Sequence, residues 1–319
     1  MNKFLDAQQA LSFLVQQTTH IESQVYEIQY PDIQYPGLVP IDTSANEWAK
    51  TVTYYSVDKV GQAEWFHHEA KDMPRADSRR SQLEHGIELA GIGYGYTLEE
   101  LGQAMMVPNT NLTMERAAAA RRAYEEFMDT LVLTGDTDKN MEGLINNAAV
   151  TSNNAAATGT GSSMAWADKT GDQILTDVNN LISGAYEDSL TVELCDTVLL
   201  PIAALTLIST KRMPDIDKTV LRFLREDNTY TAVTGQPLTI RGVRGLEDAG
   251  DSSTGRMVAY RKAMEVLKLH LPMPHRFLPP WQTSPLGFDV PGIFRTGGVE
   301  IRRPGAVRYL DGIVASDTA

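Results

Sequence analysis

The clearest periodicity in the chain lies between Thr113 and Gly135. Ala117, Ala120, Tyr124, Phe127 and Leu131 recur there at spacings of three and four, which puts them on one stripe of an α-helix. Arg121 and Arg122 each stand four residues before a glutamate, Glu125 and Glu126, the arrangement of ion pairs on a helix's polar side. The spacing predicts a rod over 114–134, capped by Thr113, stopped by Gly135 and about 30 Å long. A second helix is predicted over 172–186, where Ile174, Val178, Leu181 and Ile182 share a face. An amphipathic helix is predicted over 3–17 from Phe4, Leu11, Leu14 and Val15. Thr97 with Glu100 is a capping box, and it opens a short helix to about Met106.

Elsewhere the period is two. Residues 51–57 alternate with Val52 and Tyr54 on one side. Residues 85–96 alternate again through Ile87 and Leu89, and then Gly91, Gly93 and Gly95 share one face. Glycine inside a strand marks close approach of another backbone. The intervening 69–82 are charged and nearly devoid of apolar side chains, so they are expected as a loop tip. The stretch 51–96 therefore reads as a long hairpin. Two strands alone are marginal in water, so this hairpin needs a surface to lie on.

Residues 146–171 are small, polar and low in complexity, and are expected as a mobile loop. From 192 the elements shorten: a buried strand in Asp-Thr-Val-Leu-Leu-Pro, helices in 202–210 and 218–226, and a strand in 237–246. The last segment carries two turn signals, Thr296-Gly-Gly and Pro304-Gly, between alternating stretches, and should be β. Strands and helices mix without strict βαβ alternation, which predicts an α+β fold.

One stretch fits none of these patterns. Ile-Gln-Tyr-Pro occurs twice, at 28–31 and 33–36, and Pro40 follows. Prolines this dense argue against a helix or a central strand. Yet Ile28, Tyr30, Ile33 and Tyr35 are too apolar for a disordered tail. The segment 24–42 reads as an extended arm whose partner lies on another chain.

Composition narrows the function. The 319 residues suggest about two domains, and 42% hydrophobic content is ample for a core. A single cysteine, Cys195 in apolar surroundings, rules out an internal disulfide and a thiolate metal cluster. The absence of a long apolar run and of a basic-then-apolar leader argues against a membrane and against secretion. A net charge of −13 disfavours binding to nucleic-acid phosphates. The local basic clusters, Arg75, Arg79 and Arg80, then Arg302 and Arg303, read as solvated faces. His67 and His68 are adjacent and would point to opposite faces of a strand, so they do not make one metal site. Gly-Thr-Gly-Ser-Ser at 159–163 lacks the rest of a phosphate loop. No carboxylate pair stands out as an acid–base dyad, and no cofactor is expected.

The succession of an arm, a charged-tip hairpin and a long helix running into Gly135 and Gly143-Leu144-Ile145-Asn146 resembles tailed-phage major capsid proteins of the Hong Kong 97 type. The resemblance covers nearly the whole chain. It implies an N-terminal arm over 1–46 and an E-loop hairpin over 47–96. A P-domain with its spine helix would follow over 97–190, an A-domain over 191–285, and returning P-domain strands over 286–319. It further implies a homo-oligomer of hexamers and pentamers forming an icosahedral shell around a double-stranded DNA genome. The genome would be held by proximity alone, and the shell would assemble in the host cytoplasm. A fused scaffolding domain is not expected, which leaves a separate scaffold, a portal or a decoration protein as partners. The resemblance makes Ile28, Tyr30, Ile33, Tyr35, Lys71, Arg75, Arg79 and Arg80 the candidate intersubunit contacts. Lys59 and Lys71 lie on the hairpin, where some family members crosslink a lysine to an asparagine. Two other readings stay open: a nanocompartment shell of the encapsulin type, and a cytosolic metal-dependent hydrolase.

Overall fold

The computed structural model of the chain describes residues 32–63, 65, 75–106, 111–214 and 217–315. The first elements are a single helical turn α1 (Tyr35–Leu38), a short strand β1 (Ile41–Asp42) and two ten-residue strands, β2 (Thr51–Val60) and β3 (Asp77–Gly86). Then come β4 (Glu88–Gly91), β5 (Tyr94–Thr97), the helix α2 (Leu98–Ala104) and the long helix α3 (Leu112–Thr134). A tight turn, β6 (Gly135–Asp136) with β7 (Met141–Glu142), leads to β8 (Thr151–Asn154) and the helix α4 (Gly171–Asp188). Next are β9 (Thr197–Leu200), α5 (Ile202–Thr210), α6 (Val220–Glu226), α7 (Thr229–Thr234) and β10 (Thr239–Gly242). The chain closes with eight strands: β11 (Arg256–Tyr260), β12 (Leu267–His270), β13 (Met273–Phe277), β14 (Trp281–Gln282), β15 (Gly287–Val290), β16 (Gly292–Thr296), β17 (Gly298–Ile301) and β18 (Val307–Asp311).

The largest sheet runs β10-β9-β11-β18-β8, with parallel pairs at both edges and antiparallel pairs in the middle. Its inner strands are apolar on both faces, because each face covers a different core. Leu199, Val258, Tyr260, Val307 and Tyr309 face one core, built with Tyr124, Met128 and Val132 of α3. Val198, Leu200, Met257, Ala259 and Leu310 face the other, built with Ile174, Val178, Leu181 and Ile182 of α4. A strand buried on both sides reads as a continuous apolar run, which accounts for Thr-Val-Leu-Leu at 197–200.

The long helix starts two residues before the periodicity indicates. Asn111, not Thr113, caps it, its side chain accepting from the Met114 amide at 3.2 Å. At the other end the Gly-Leu-Ile-Asn motif closes the helix. The Leu144 and Ile145 amides donate to the Val132 and Leu133 carbonyls at 2.8 and 3.1 Å, and the Asn146 side-chain amide donates to the Thr134 carbonyl at 2.7 Å. Three carbonyls left without partners by the end of the helix are thus satisfied by one returning turn. The return requires Gly135 in a positive-φ conformation (φ 73°). It also requires Gly143, whose absent Cβ would lie 2.1 Å from the Leu133 oxygen.

Several expectations are corrected. The arm is not extended throughout: Tyr35–Leu38 form a helical turn with Pro36 in its first turn, where a missing N–H costs nothing. The stretch 51–96 is not one hairpin, since only β2 and β3 pair with each other. Beyond Gly86 the chain enters the body, where β4 pairs with β16 and β5 with β15. The glycines at 91 and 93 mark those contacts; a Cβ there would meet the Gly292 and Val290 carbonyl oxygens at 2.6 and 2.3 Å. The charged stretch 77–82 is strand rather than loop, because ladder hydrogen bonds extend to Val60 and Asp77 without apolar burial. The stretch 146–171 is anchored rather than mobile. It contains β8, and Trp166 is fully buried, its indole N–H 3.0 Å from Asp177, which also pairs with buried Lys169 at 2.6 Å. The helix predicted over 3–17 lies outside the described residues.

Gly143→Ala is expected to lower the protein's unfolding free energy by about 2 kcal/mol or more, because the added methyl clashes with the Leu133 carbonyl at the helix cap. Gly102→Ala, inside α2 with nothing within 4 Å of the added methyl, is expected to be neutral or slightly stabilising. Urea unfolding of the two variants checks the contrast.

Candidate assembly interface

The second Ile-Gln-Tyr-Pro copy sits on α3. Asp129 accepts from the Gln34 and Tyr35 amides at 2.9 and 2.8 Å, and the Tyr35 hydroxyl donates to Glu125 at 2.8 Å. Tyr35, Leu38 and Val39 are buried in the first core, with Ile33 packed against it. The Tyr260 hydroxyl donates to the Leu38 carbonyl at 2.8 Å, and β1 pairs in parallel with β12. The expectation that all of 24–42 lacks a partner in its own chain is therefore corrected for residues 33–42. Polar groups on α3 and β12 satisfy the backbone there. Ile28 and Tyr30 lie outside the described residues.

The β2–β3 hairpin is different. Both of its faces are exposed beyond the root, including Tyr55 (68%), Val57 (49%) and Val60 (44%). Arg79 lies opposite Asp58 and Arg80 opposite Val57. Arg75, Arg79 and Arg80 are exposed. Lys71, like His67 and His68, lies outside the described residues. By contrast Arg302 and Arg303, read from the sequence as a solvated face, are paired. Arg302 bonds Glu300 at 3.1 Å and lies over the Tyr54 ring at 4.5 Å, and Arg303 pairs with Glu193. The reason is that Glu193 and Glu300 are themselves buried carboxylates, which hold whatever cation is within reach.

The hairpin root rests on a buried charged layer. In the three-stranded sheet β1-β12-β17 the register places Asp42 beside His270 and Lys268 beside Glu300, so all four share one face. Lys268 pairs with Asp42, and the His270 Nε2–H donates to Glu300 at 2.7 Å. From β3, His85 packs against His270 with ring centroids 5.1 Å apart and planes tilted by 31°, and donates to the Gly297 carbonyl at 2.7 Å. Burial opposes charge on Glu300, but hydrogen bonds from His270 and Arg302 outweigh it and hold the carboxyl at about 2. Asp42 is likewise held below the usual carboxylate range against its burial, by Lys268 and Ser44. Burial pushes the His85 imidazole below its ordinary value.

In front of this layer, under the hairpin, opens a cleft of about 620 Å³ lined by Tyr54, Leu83, Glu84, Glu142, Asn146 and Glu300 among others. The cleft is not legible in the sequence, because its walls come from four separate stretches. The only sequence signal was the pairing of Tyr54 with Leu83, which appears once the hairpin register is known. Among the described residues no group of His, Cys, Asp and Glu could hold a metal ion, and no helix is long and apolar enough to cross a membrane. Burial pushes the Cys195 thiol up.

The depressed carboxyls and the depressed histidine act in the same direction. Because His85 takes up its proton at lower pH in the folded chain than in the unfolded one, stability begins to fall below about pH 6.5, where the unfolded state takes up the proton first. The contribution of Glu300 is complete above about pH 4.5 and is lost as pH falls towards 2. Glu300→Gln is expected to be less stable at neutral pH and to flatten the profile below pH 4.5. Thermal unfolding across pH measures both limbs.

A family model described as "Major capsid protein" matches residues 61–313, well over half of the chain. No curated protein sequence matches it. Among solved structures, the capsid of Myoviridae phage XM1 superposes with a TM-score of 0.77 at 18% identity, covering 93% of this chain and 97% of that one. A chain from Mycobacterium phage Bobi gives 0.61 at 12% identity, over 96% and 98%. A chain from the capsid of a native GTA particle gives 0.58 at 9%, over 96% and 98%. The fold these chains share is the α+β Hong Kong 97-type capsid fold.

Proposed function

The chain belongs to the major capsid protein family, and from that premise we propose that its β2–β3 hairpin and the segment before residue 33 are the clasps that join copies into the shell. Membership makes the chain a structural protein of a virion capsid, built into a multimeric shell. It does not favour the nanocompartment or the hydrolase. The finer reading follows the resemblance. Hexamers and pentamers form an icosahedral head around double-stranded DNA, assembled in the host cytoplasm with a separate scaffold, portal or decoration protein. The subunit performs no chemistry of its own. Residues 47–96 act as the E-loop, 97–190 and 286–319 as the P-domain and 191–285 as the A-domain. With a net charge of −13 the subunit has no general attraction for phosphate, which suits a container whose contents must leave it.

One observation carries the proposal. Beyond its root the two-stranded ribbon has both faces in water and no core to hold it, and such ribbons are marginal alone. A partner surface supplies what the chain does not, and Arg75, Arg79 and Arg80 of the ribbon, with Lys71, are the cations offered to it. Arg75→Glu with Arg79→Glu is expected to leave helical content unchanged while cutting particle yield, and the defect should shrink as salt screens the repulsion. Circular dichroism and particle counting on the same sample measure this. Normal shells in normal yield would remove the hairpin from the interface.

A further inference from the structure

We propose that the cleft at the hairpin root is the docking site for the arginine-bearing outer half of a second copy's hairpin. This rests on the reading of the hairpin as an intersubunit clasp and adds the surface that receives it.

Three observations converge on the cleft. First, it is acidic: Glu84, Glu142 and Glu300 line it, and no Lys or Arg is among its lining residues that are described. Second, it holds an unmet acceptor. Glu300 is 6% exposed, and its Oε2 receives His270 and Arg302, but its Oε1 has no hydrogen-bond partner among the described residues. A buried carboxylate oxygen left bare has lost its water without a replacement donor, so a donor entering the cleft recovers that loss. Third, the cations needed are on the same molecule in the wrong place. Arg75, Arg79 and Arg80 are exposed on the hairpin, and Arg79 faces Asp58 across the ladder without closing an ion pair among the described residues.

Reach decides that the occupant is a second copy. Arg79 is seven residues from Gly86 along β3, about 23 Å at the rise of a strand. A paired ribbon cannot fold back over that length to its own root. The contact is therefore between unlike patches, hairpin of one copy to cleft of the next, and such head-to-tail contacts close into rings or run on. The apolar rim of the cleft, Tyr54 and the half-exposed Leu83, suits the methylene stem of an arginine whose guanidinium meets the carboxylates.

A charge-exchange experiment on the full chain tests the pairing. Glu84→Lys with Glu142→Lys is expected to cut particle yield about tenfold, as Arg75→Glu with Arg79→Glu does, and the fourfold variant to recover most of it. If the arginine variant assembles normally, the clasp reading itself falls. If the arginine variant fails and the cleft variant assembles normally, the clasp stands and only the docking site is overturned. Failure of both without recovery in the fourfold variant also overturns it. Should the cleft variant unfold, Arg79→Cys with Glu142→Cys in the otherwise native chain decides. Oxidised particles then yield a ladder of disulfide-linked multimers if the sites meet, and the buried Cys195 does not compete. Absence of the ladder overturns the proposal.

Discussion

The five-stranded sheet is the constraint on which the rest of the subunit depends. Its inner strands send alternate side chains into two different cores, so neither the α3 side nor the α4 side can be built without the other. Asp311 at the end of β18 fastens the sheet's margin. It takes a two-bond contact from Arg256 at 2.7 and 2.8 Å and a hydroxyl from Ser152 of β8 at 2.8 Å. Elements that would otherwise be separate layers share this one sheet, and the hairpin projects from the body beside it.

The base and the hairpin are joined by charge rather than by grease. His85 and Tyr54 belong to the ribbon. Asp42 belongs to the arm, and Lys268, His270 and Glu300 to the returning strands, yet all meet within one buried layer. Buried ion pairs contribute little net stability, but they are specific about geometry, and removing one partner is costly. The layer therefore fixes the angle at which the ribbon leaves the body. Family membership makes the subunit part of a shell, and in the proposed clasp the departure angle of the ribbon would set where it meets its neighbour.

Local rules made much of this legible in the sequence. The stripe from Ala117 to Leu131 marks α3, the Thr97–Glu100 box marks α2 (its reciprocal hydrogen bonds are both present), and Thr-Val-Leu-Leu marks β9. Errors arose where a distant partner overrode a local rule. Proline density at 31–40 argued against any helix, but Asp129 on α3 supplies the acceptor that lets Tyr35 start one. Low complexity at 146–171 argued for mobility, but a single buried tryptophan anchors the stretch. Alternation through 85–96 argued for one continuous strand, but Ile87 enters the body and the ladder changes partners there. The cleft was not legible at all. Glu84, Glu142 and Glu300 lie far apart along the chain, and only tertiary packing brings them together.

The seating of the arm has a consequence for the order in which a nascent subunit matures. Leu38 accepts its hydrogen bond from Tyr260, 222 residues further along, and β1 pairs with β12, later still. Contacts across so much chain close late, after their entropy cost has been met by nearer pairings. On the ribosome Tyr35 can meet Glu125 and Asp129 once α3 has been made, whereas Leu38 and strand β1 must wait for Tyr260 and β12. Full docking of the arm is therefore completed only after β12 has been made, long after the arm itself.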